Sequence, residues 1–183
     1  MKRLSVVALT VTAALAVGAW MPAPAAAQLA TQRGNSVSAR LVSIGGTTDW
    51  VLGVAYRINP TLDAAFAYST IPPFDSEIDL GVRLHFPART PGIDPFVGAG
   101  IAFTNVAGTS GSGVFIQGGA ALTLAPRWQG FAAIHYVSSS GLTATIYDVG
   151  VQYQFTSQTS GVLGFTGSSA GNGVYVGVSF NLR

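Results

Sequence analysis

The sequence predicts an all-β fold in which antiparallel strands close into an up-and-down barrel. Apolar and polar residues alternate with period two along most of the chain, and turn-forming stretches such as "INPT", "APR" and "SSSG" separate the alternating segments. A glycine followed three and five residues later by large apolar residues recurs on every second segment. Only 9% of the 183 residues are charged, against roughly 25% in ordinary soluble domains. A surface so poor in charge is not the surface of an ordinary water-soluble barrel.

The first 27 residues have the pattern of a cleaved signal peptide. A basic start, "MKR", precedes the apolar run "LSVVALTVTAALAVGAW", and Ala25 and Ala27 stand at the minus-three and minus-one positions of a cleavage site. We therefore expect residues 1–27 to be removed and residues 28–183 to form one barrel domain.

The expected mature chain is electrically neutral and contains no cysteine. Removing Lys2 and Arg3 from the nine basic residues leaves seven arginines, whose charge balances that of the seven acidic residues. A neutral balance gives no support to nucleic-acid binding. The lack of cysteine excludes disulfides and thiol chemistry.

Ten strands are preferred, and each is bounded by a turn signal. They are predicted at residues 35–44, 48–58, 62–70, 76–86, 95–105, 112–124, 128–138, 143–155, 161–167 and 173–182. An even number returns both chain termini to the same side of a barrel. The alternative is an eight-stranded barrel followed by an extra hairpin, because a complete glycine motif already ends at Phe155.

The glycine motif gives five strands one shared orientation. Its members are Gly53 with Tyr56 and Ile58, Gly81 with Leu84 and Phe86, Gly119 with Leu122 and Leu124, Gly150 with Tyr153 and Phe155, and Gly177 with Phe180 and Leu182. Successive side chains on a strand point to opposite faces, so the glycine and the two apolar residues lie on opposite faces. Five hairpins in a meander explain this repetition.

Charged residues and large apolar residues also lie on opposite faces of the predicted strands. In "EIDLGVRLHF", residues 77–86, every polar residue shares the glycine face and every apolar residue lies opposite. Charged residues on the glycine face are Arg40, Arg57, Asp63, Glu77, Asp79, Arg83 and Asp148. A soluble barrel would need charge on its exterior. A barrel that spans a membrane places the apolar face against lipid and the polar, glycine-containing face in the lumen.

Aromatic residues fall where the two interfaces of such a barrel would lie. Trp50 with Tyr56, and Trp128 with Tyr136, occupy the apolar face near opposite ends of their strands. Paired aromatic belts at both membrane interfaces are typical of transmembrane barrels.

The mature chain resembles the small outer-membrane β-barrel proteins of Gram-negative bacteria. The segments that carry the resemblance are "DPFVGAGIAF", "YDVGVQYQF" and the terminal "YVGVSFNLR". It implies a location in the outer membrane, contact with its lipid, and assembly by the barrel-insertion machinery. In this family the last strand carries an assembly signal, which Tyr175, Gly177, Phe180 and Leu182 match. Arg183 stands where the family usually ends on an aromatic residue.

Polar residues on the glycine face are candidates for ion pairs inside the lumen. They are Arg40, Arg57, Glu77, Asp79, Arg83, His85, His135 and Asp148. Glu77, Asp79, Arg83 and His85 could also be interpreted as a metal or paired-carboxylate site, but buried charges in a narrow lumen need partners, which favours an ion-pair network. We expect Asp79, Arg83 and Asp148 to pair with one another, and no metal or cofactor to be required.

Large inward residues predict a mostly occluded lumen. Phe115, Phe131, His135 and Tyr175 are expected to point inward, and an eight-stranded barrel is only just wide enough for its own side chains. Ten strands widen it modestly. The function predicted from the residues is therefore non-enzymatic, as a structural element or a narrow solute path.

His135 also supports an alternative, a hydrolase that modifies lipid A. Ser138 to Ser140 follow it and Asp148 lies on the next predicted strand, which resembles the histidine, serine and acid of lipid A deacylase barrels. In that family the serine stands two residues after the histidine, a position held here by Val137. The nucleophile and base therefore lack the expected spacing.

Overall fold

A computed structural model describes residues 35–71, 73–86, 90–139, 141–168 and 171–182. Its strands are β1 (Ser36–Ile44), β2 (Thr47–Asn59), β3 (Leu62–Ser69), β4 (Ser76–His85), β5 (Ile93–Val106), β6 (Thr109–Ala125), β7 (Trp128–Ser139), β8 (Leu142–Gln154), β9 (Thr159–Ser168) and β10 (Gly171–Asn181). The expected signal peptide and Arg183 lie outside the described residues. Across the described ranges, no helix is long and apolar enough to span a membrane.

The ten strands form one closed antiparallel barrel in chain order. Each strand pairs with its neighbours in sequence, and β1 also pairs with β10, from Ser36 opposite Asn181 to Ile44 opposite Gly173. The preferred count of ten is therefore confirmed, and the alternative of eight strands with an extra hairpin is wrong. Closure leaves no strand of the sheet with an unpaired edge.

The barrel has two ends that differ in their connections. We call the end that holds residues 35 and 182 the terminal end, and the opposite end the far end. At the far end, β5 and β6 are joined by a two-residue turn in which both Ala107 and Gly108 have positive φ, at 50° and 77°. Turns of this kind match the twist of the strands they connect.

This hairpin is longer than the sequence predicted. The stretch "AGTSGSG" was expected to form a loop, but β6 begins at Thr109 and pairs with β5 up to Val106. The glycine and serine residues of 110–113 continue the ladder because strand pairing needs only backbone groups. The tight turn then takes up only two residues.

The outward face is apolar on nearly every strand. Strands β2 to β10 all carry exposed large hydrophobic side chains, among them Leu80, Ile116, Val149 and Phe165. The aromatic pairs follow the prediction, since Trp50, Tyr56, Trp128 and Tyr136 are all exposed. Trp128 also lies 4.7 Å from Tyr153, measured between ring centroids, at the terminal end.

Inward glycines make room for large side chains from elsewhere in the lumen. A Cβ built on Gly81 or Gly100 would lie 2.6 Å from the ring of Phe115. One built on Gly150 would lie 2.8 Å from the Tyr175 hydroxyl, and one on Gly164 only 2.5 Å from it. Among the motif glycines, Gly81, Gly119 and Gly150 are therefore positions against which an inward ring packs.

A loop covers the far end of the lumen. Between β3 and β4, Ile71 and Phe74 are each only 2% exposed and pack into the two apolar clusters of the lumen. Asp75 anchors the loop, because its amide donates to the Asn105 carbonyl at 2.8 Å and its Oδ2 accepts a 2.7 Å hydrogen bond from the Ala107 amide. The sequence indicated a short turn here and gave no sign of a plug.

Candidate functional site

Charged side chains in the lumen form three groups at different heights. Period-two alternation directs them inward, as expected, and strand register decides which of them meet. We call them the far cluster (Glu77, Asp79 and His135), the wall pair (Arg40 and Asp148), and the terminal cluster (Asp63, Arg83, His85 and Asp94). All of these side chains are buried except that of Asp94, which is half-buried.

The wall pair joins β1 to β8 across the lumen. Arg40 Nη1 lies 3.5 Å from Asp148 Oδ2, and both side chains are almost fully buried. The guanidinium carbon of Arg40 also lies 4.7 Å from the ring centroid of Tyr175, a cation–π distance. Arg40, Asp148 and Tyr175 therefore lie in contact with one another inside the lumen.

The terminal cluster surrounds Arg83 with acids. Arg83 lies directly opposite Asp63 on the neighbouring strand, and the charges of Asp63 and Asp94 both act on its guanidinium. His85 Nε2 lies 3.1 Å from Asp63 Oδ2, and His85 Nδ1 lies 3.2 Å from Asp94 Oδ1. The two acids therefore flank the imidazole from opposite sides, beside a buried arginine.

Arg57 lies at the rim of this cluster. Its Nε is 3.9 Å from Asp63 Oδ1, and its side chain is 40% exposed. The alternation predicts Arg57 on the inward face, but its position near the end of β2 leaves it at the terminal mouth. It extends the ion-pair network toward solvent.

The far cluster brings two acids and a histidine together. His135 Nε2 lies 3.2 Å from Glu77 Oε1 and 3.3 Å from Asp79 Oδ2. Glu77 and Asp79 are two residues apart on β4 and share its inward face. His135 comes from β7, which β5 and β6 separate from β4 in the sheet.

Asp79, Arg83 and Asp148, which were expected to pair with one another, each have other partners. Asp79 meets His135, Asp148 meets Arg40, and Arg83 lies among the acids of the terminal cluster. Asp79 and Arg83 are four residues apart, roughly 13 Å along a strand, so they occupy different heights in the lumen.

The sequence patterns do not identify Asp94, Ile71 or Phe74 as residues of the lumen. Asp94 precedes the predicted start of β5 at Pro95, although it shares the alternation of Phe96 and Gly98. Ile71 and Phe74 lie in a loop, where period two gives no information.

The residues of the hydrolase alternative do not meet. His135 faces Glu77 and Asp79, whereas Asp148 contacts Arg40. The Oγ atom of Ser139 is hydrogen bonded to Thr104 Oγ1 at 2.8 Å. Ser140 lies outside the described residues. No described contact therefore supports a nucleophile activated by His135.

The terminal mouth is polar. A pocket of about 230 Å³ opens there, and its walls include Gln129, Gln152, Gln154, Ser160 and Asn181. The two mouths thus differ, because Ile71 and Phe74 cover the far end with apolar side chains.

The fold is shared with solved outer-membrane porins. The chain is similar to the NanC porin, with 13% identity over 80% of this chain and 94% of that one, at a TM-score of 0.53. It is also similar to the KdgM porin, with 10% identity over 81% of this chain and 99% of that one, at a TM-score of 0.51. At these identities the likeness shows the fold alone. No protein-family model and no curated protein matches the chain.

Proposed function

We propose that this chain is a non-enzymatic barrel of the bacterial outer membrane, with a charge-lined and mostly occluded lumen. It acts as a structural element of that membrane, or as a narrow path for small solutes. Outer-membrane lipid surrounds it, and the barrel-insertion machinery assembles it by reading the last strand, where Tyr175 and Gly177 face inward and Leu182 faces outward.

The observation that most strongly supports the proposal is the band of exposed apolar side chains on the outer face of the barrel. Monomeric soluble proteins rarely expose contiguous apolar patches larger than a few hundred Å². Here large hydrophobic side chains are exposed on nine of the ten described strands. Lipid covers such a band, and a closed barrel leaves no backbone group unpaired in hydrocarbon. The fold shared with KdgM and NanC supports the same conclusion.

The proposal that the lumen is mostly occluded rests on the side chains that pack inside the barrel. Phe96, Phe131 and Tyr175 belong to one buried apolar cluster, and Phe74 and Phe115 to a second. The wall pair lies beside the first of these clusters. A continuous wide pore has no room beside these side chains.

Recordings in planar lipid bilayers test the occluded lumen. The native protein should show no large, steady current, and Phe115→Ala should raise the conductance severalfold because it removes an inward ring that is 2% exposed. Ile116→Ala is the matched control, since Ile116 is the next residue, points outward and should leave the current unchanged. Large porin-like currents from the native protein would contradict the proposal.

A further inference from the structure

We propose that Glu77, Asp79 and His135 form a binding site for a divalent transition-metal ion, with Zn²⁺ as the preferred ion. One donor atom from each residue lies within 4.8 Å of the other two. The sequence favoured an ion-pair network for the two acids, and it gave no indication that His135 would reach them from β7. The proposal concerns the far cluster alone and does not depend on whether the lumen conducts.

The two distances from the imidazole fit one shared ion. Zinc ligands lie about 2.0–2.2 Å from the metal, so two ligand atoms on the same ion are roughly 2.8–3.6 Å apart in octahedral or tetrahedral geometry. His135 Nε2 lies 3.2 Å from Glu77 Oε1 and 3.3 Å from Asp79 Oδ2. The same imidazole nitrogen therefore faces both carboxylates at the spacing of a chelate.

Burial leaves the acids in need of positive charge. Glu77, Asp79 and His135 are only 3%, 6% and 5% exposed. Glu77 Oε2 and Asp79 Oδ1 are buried with no hydrogen-bond partner. Buried carboxylates that keep their charge are usually paired or coordinate a metal.

Within the described residues, His135 is the one basic side chain that contacts these two acids. The buried arginines are engaged elsewhere, because Arg40 pairs with Asp148 and Arg83 lies among the acids of the terminal cluster. Two carboxylates thus share a single imidazole. A divalent cation would supply the missing charge.

The terminal cluster shows how an ion-pair network differs from this arrangement. His85 also lies between two acids, but it meets Asp63 through Nε2 and Asp94 through Nδ1, on opposite sides of the ring. No single nitrogen can then share an ion with both acids. Arg83 and Arg57 also provide positive charge there.

The donor set favours a borderline metal over a hard one. Imidazole suits zinc, copper, iron and nickel, whereas sites for magnesium and calcium use oxygen ligands. Phe115 packs against the imidazole, with ring centroids 5.1 Å apart, and helps to fix its orientation. Three protein ligands leave further positions on the ion for water.

Zinc titration of the full-length mature protein tests the proposal. Protein folded in detergent and treated with a chelator is titrated with Zn²⁺ by calorimetry at pH 7.5, and Co²⁺ absorbance reports the ligand geometry. We expect one Zn²⁺ per chain, and roughly tenfold or greater loss of affinity in Glu77→Gln, Asp79→Asn and His135→Gln, with Mg²⁺ failing to compete.

His85→Gln is the matched control and should bind Zn²⁺ like the native protein. Each variant is first shown to fold by its heat-modifiable migration in gels. Absence of saturable Zn²⁺ binding to the native protein would overturn the proposal without any variant. Equal losses of affinity in His85→Gln and His135→Gln would also overturn it, because the far cluster would then not be the site.

Discussion

Single inward residues set how much of the lumen is filled. Gly119 faces inward, where a Cβ would lie 2.9 Å from Phe96 Cζ and 2.9 Å from the Ala133 Cα. Its neighbour Gly118 faces outward, and its nearest contact for a Cβ is 3.8 Å away. Two adjacent glycines of one strand therefore have opposite tolerance for a methyl group.

We expect Gly119→Ala to lower the free energy of unfolding by about 1–3 kcal/mol, the usual cost of overpacking. Gly118→Ala should be neutral or slightly stabilising, because an added methyl group restricts the unfolded chain. Urea unfolding in lipid vesicles measures both changes. Equal effects of the two substitutions would show that inward packing does not explain the glycine.

The sequence predicts which side chains of the site point into the lumen, but it does not predict which of them contact one another. Period two correctly assigned Glu77, Asp79, Arg83 and His135 to one face. Which of them meet depends on the stagger between strands and on reach across the lumen. His135 contacts acids on a strand three places away around the barrel, a relation that no local pattern contains.

At the level of secondary-structure elements, the turn of the β5–β6 hairpin contains a non-glycine residue with positive φ. Ala107 has φ of 50°, which for an L-residue with a Cβ costs about 1 kcal/mol or more. The Ala107 amide donates a hydrogen bond to the Asp75 carboxylate, and this bond does not need the methyl group of Ala107.

Ala107→Gly should therefore raise the free energy of unfolding by up to about 1 kcal/mol, since glycine adopts positive φ without steric cost. Ala99→Gly, at an exposed position within β5, should instead destabilise the barrel by about 0.5–1 kcal/mol. Thermal unfolding in detergent compares the two variants. A destabilised Ala107→Gly protein would contradict the role assigned to the turn.

Strand positions followed from the sequence to within a few residues because alternation and turn residues are local signals. The main difference is at the β5–β6 hairpin, where the glycine and serine residues predict a loop and the structure has a strand. Those residues have weak strand preference, but the tight turn and the ladder of β5 hold them in the sheet. Tertiary pairing there outweighs local propensity.

On the scale of the whole molecule, an added charge should hinder folding when it lies on the outward face of the barrel and be tolerated when it lies on the inward face. Val82 points outward and is 45% exposed, whereas Gln152 lies at the polar terminal mouth and is 7% exposed. Both positions lie toward the terminal end of their strands, so they compare the two faces at similar depth.

We expect Val82→Arg to reduce the yield of folded protein in lipid vesicles far more than Gln152→Arg. An outward arginine costs up to about 2–4 kcal/mol near the bilayer midplane, whereas an arginine at position 152 can extend into the polar mouth. Folded yield is measured from the heat-modifiable band in gels. Equal yields would contradict the assignment of the outward face to lipid.

The pairing of β1 with β10 also determines when folding can finish. Ser179 Oγ donates to the Val37 carbonyl, across 142 positions of sequence. Until β10 docks, β1 has only one partner and its other edge is open to wrong pairing or aggregation. Because this seam joins the most distant of the described segments, we expect it to form late in folding. Protection of the two open edges therefore depends on the pairing of β10 with β1.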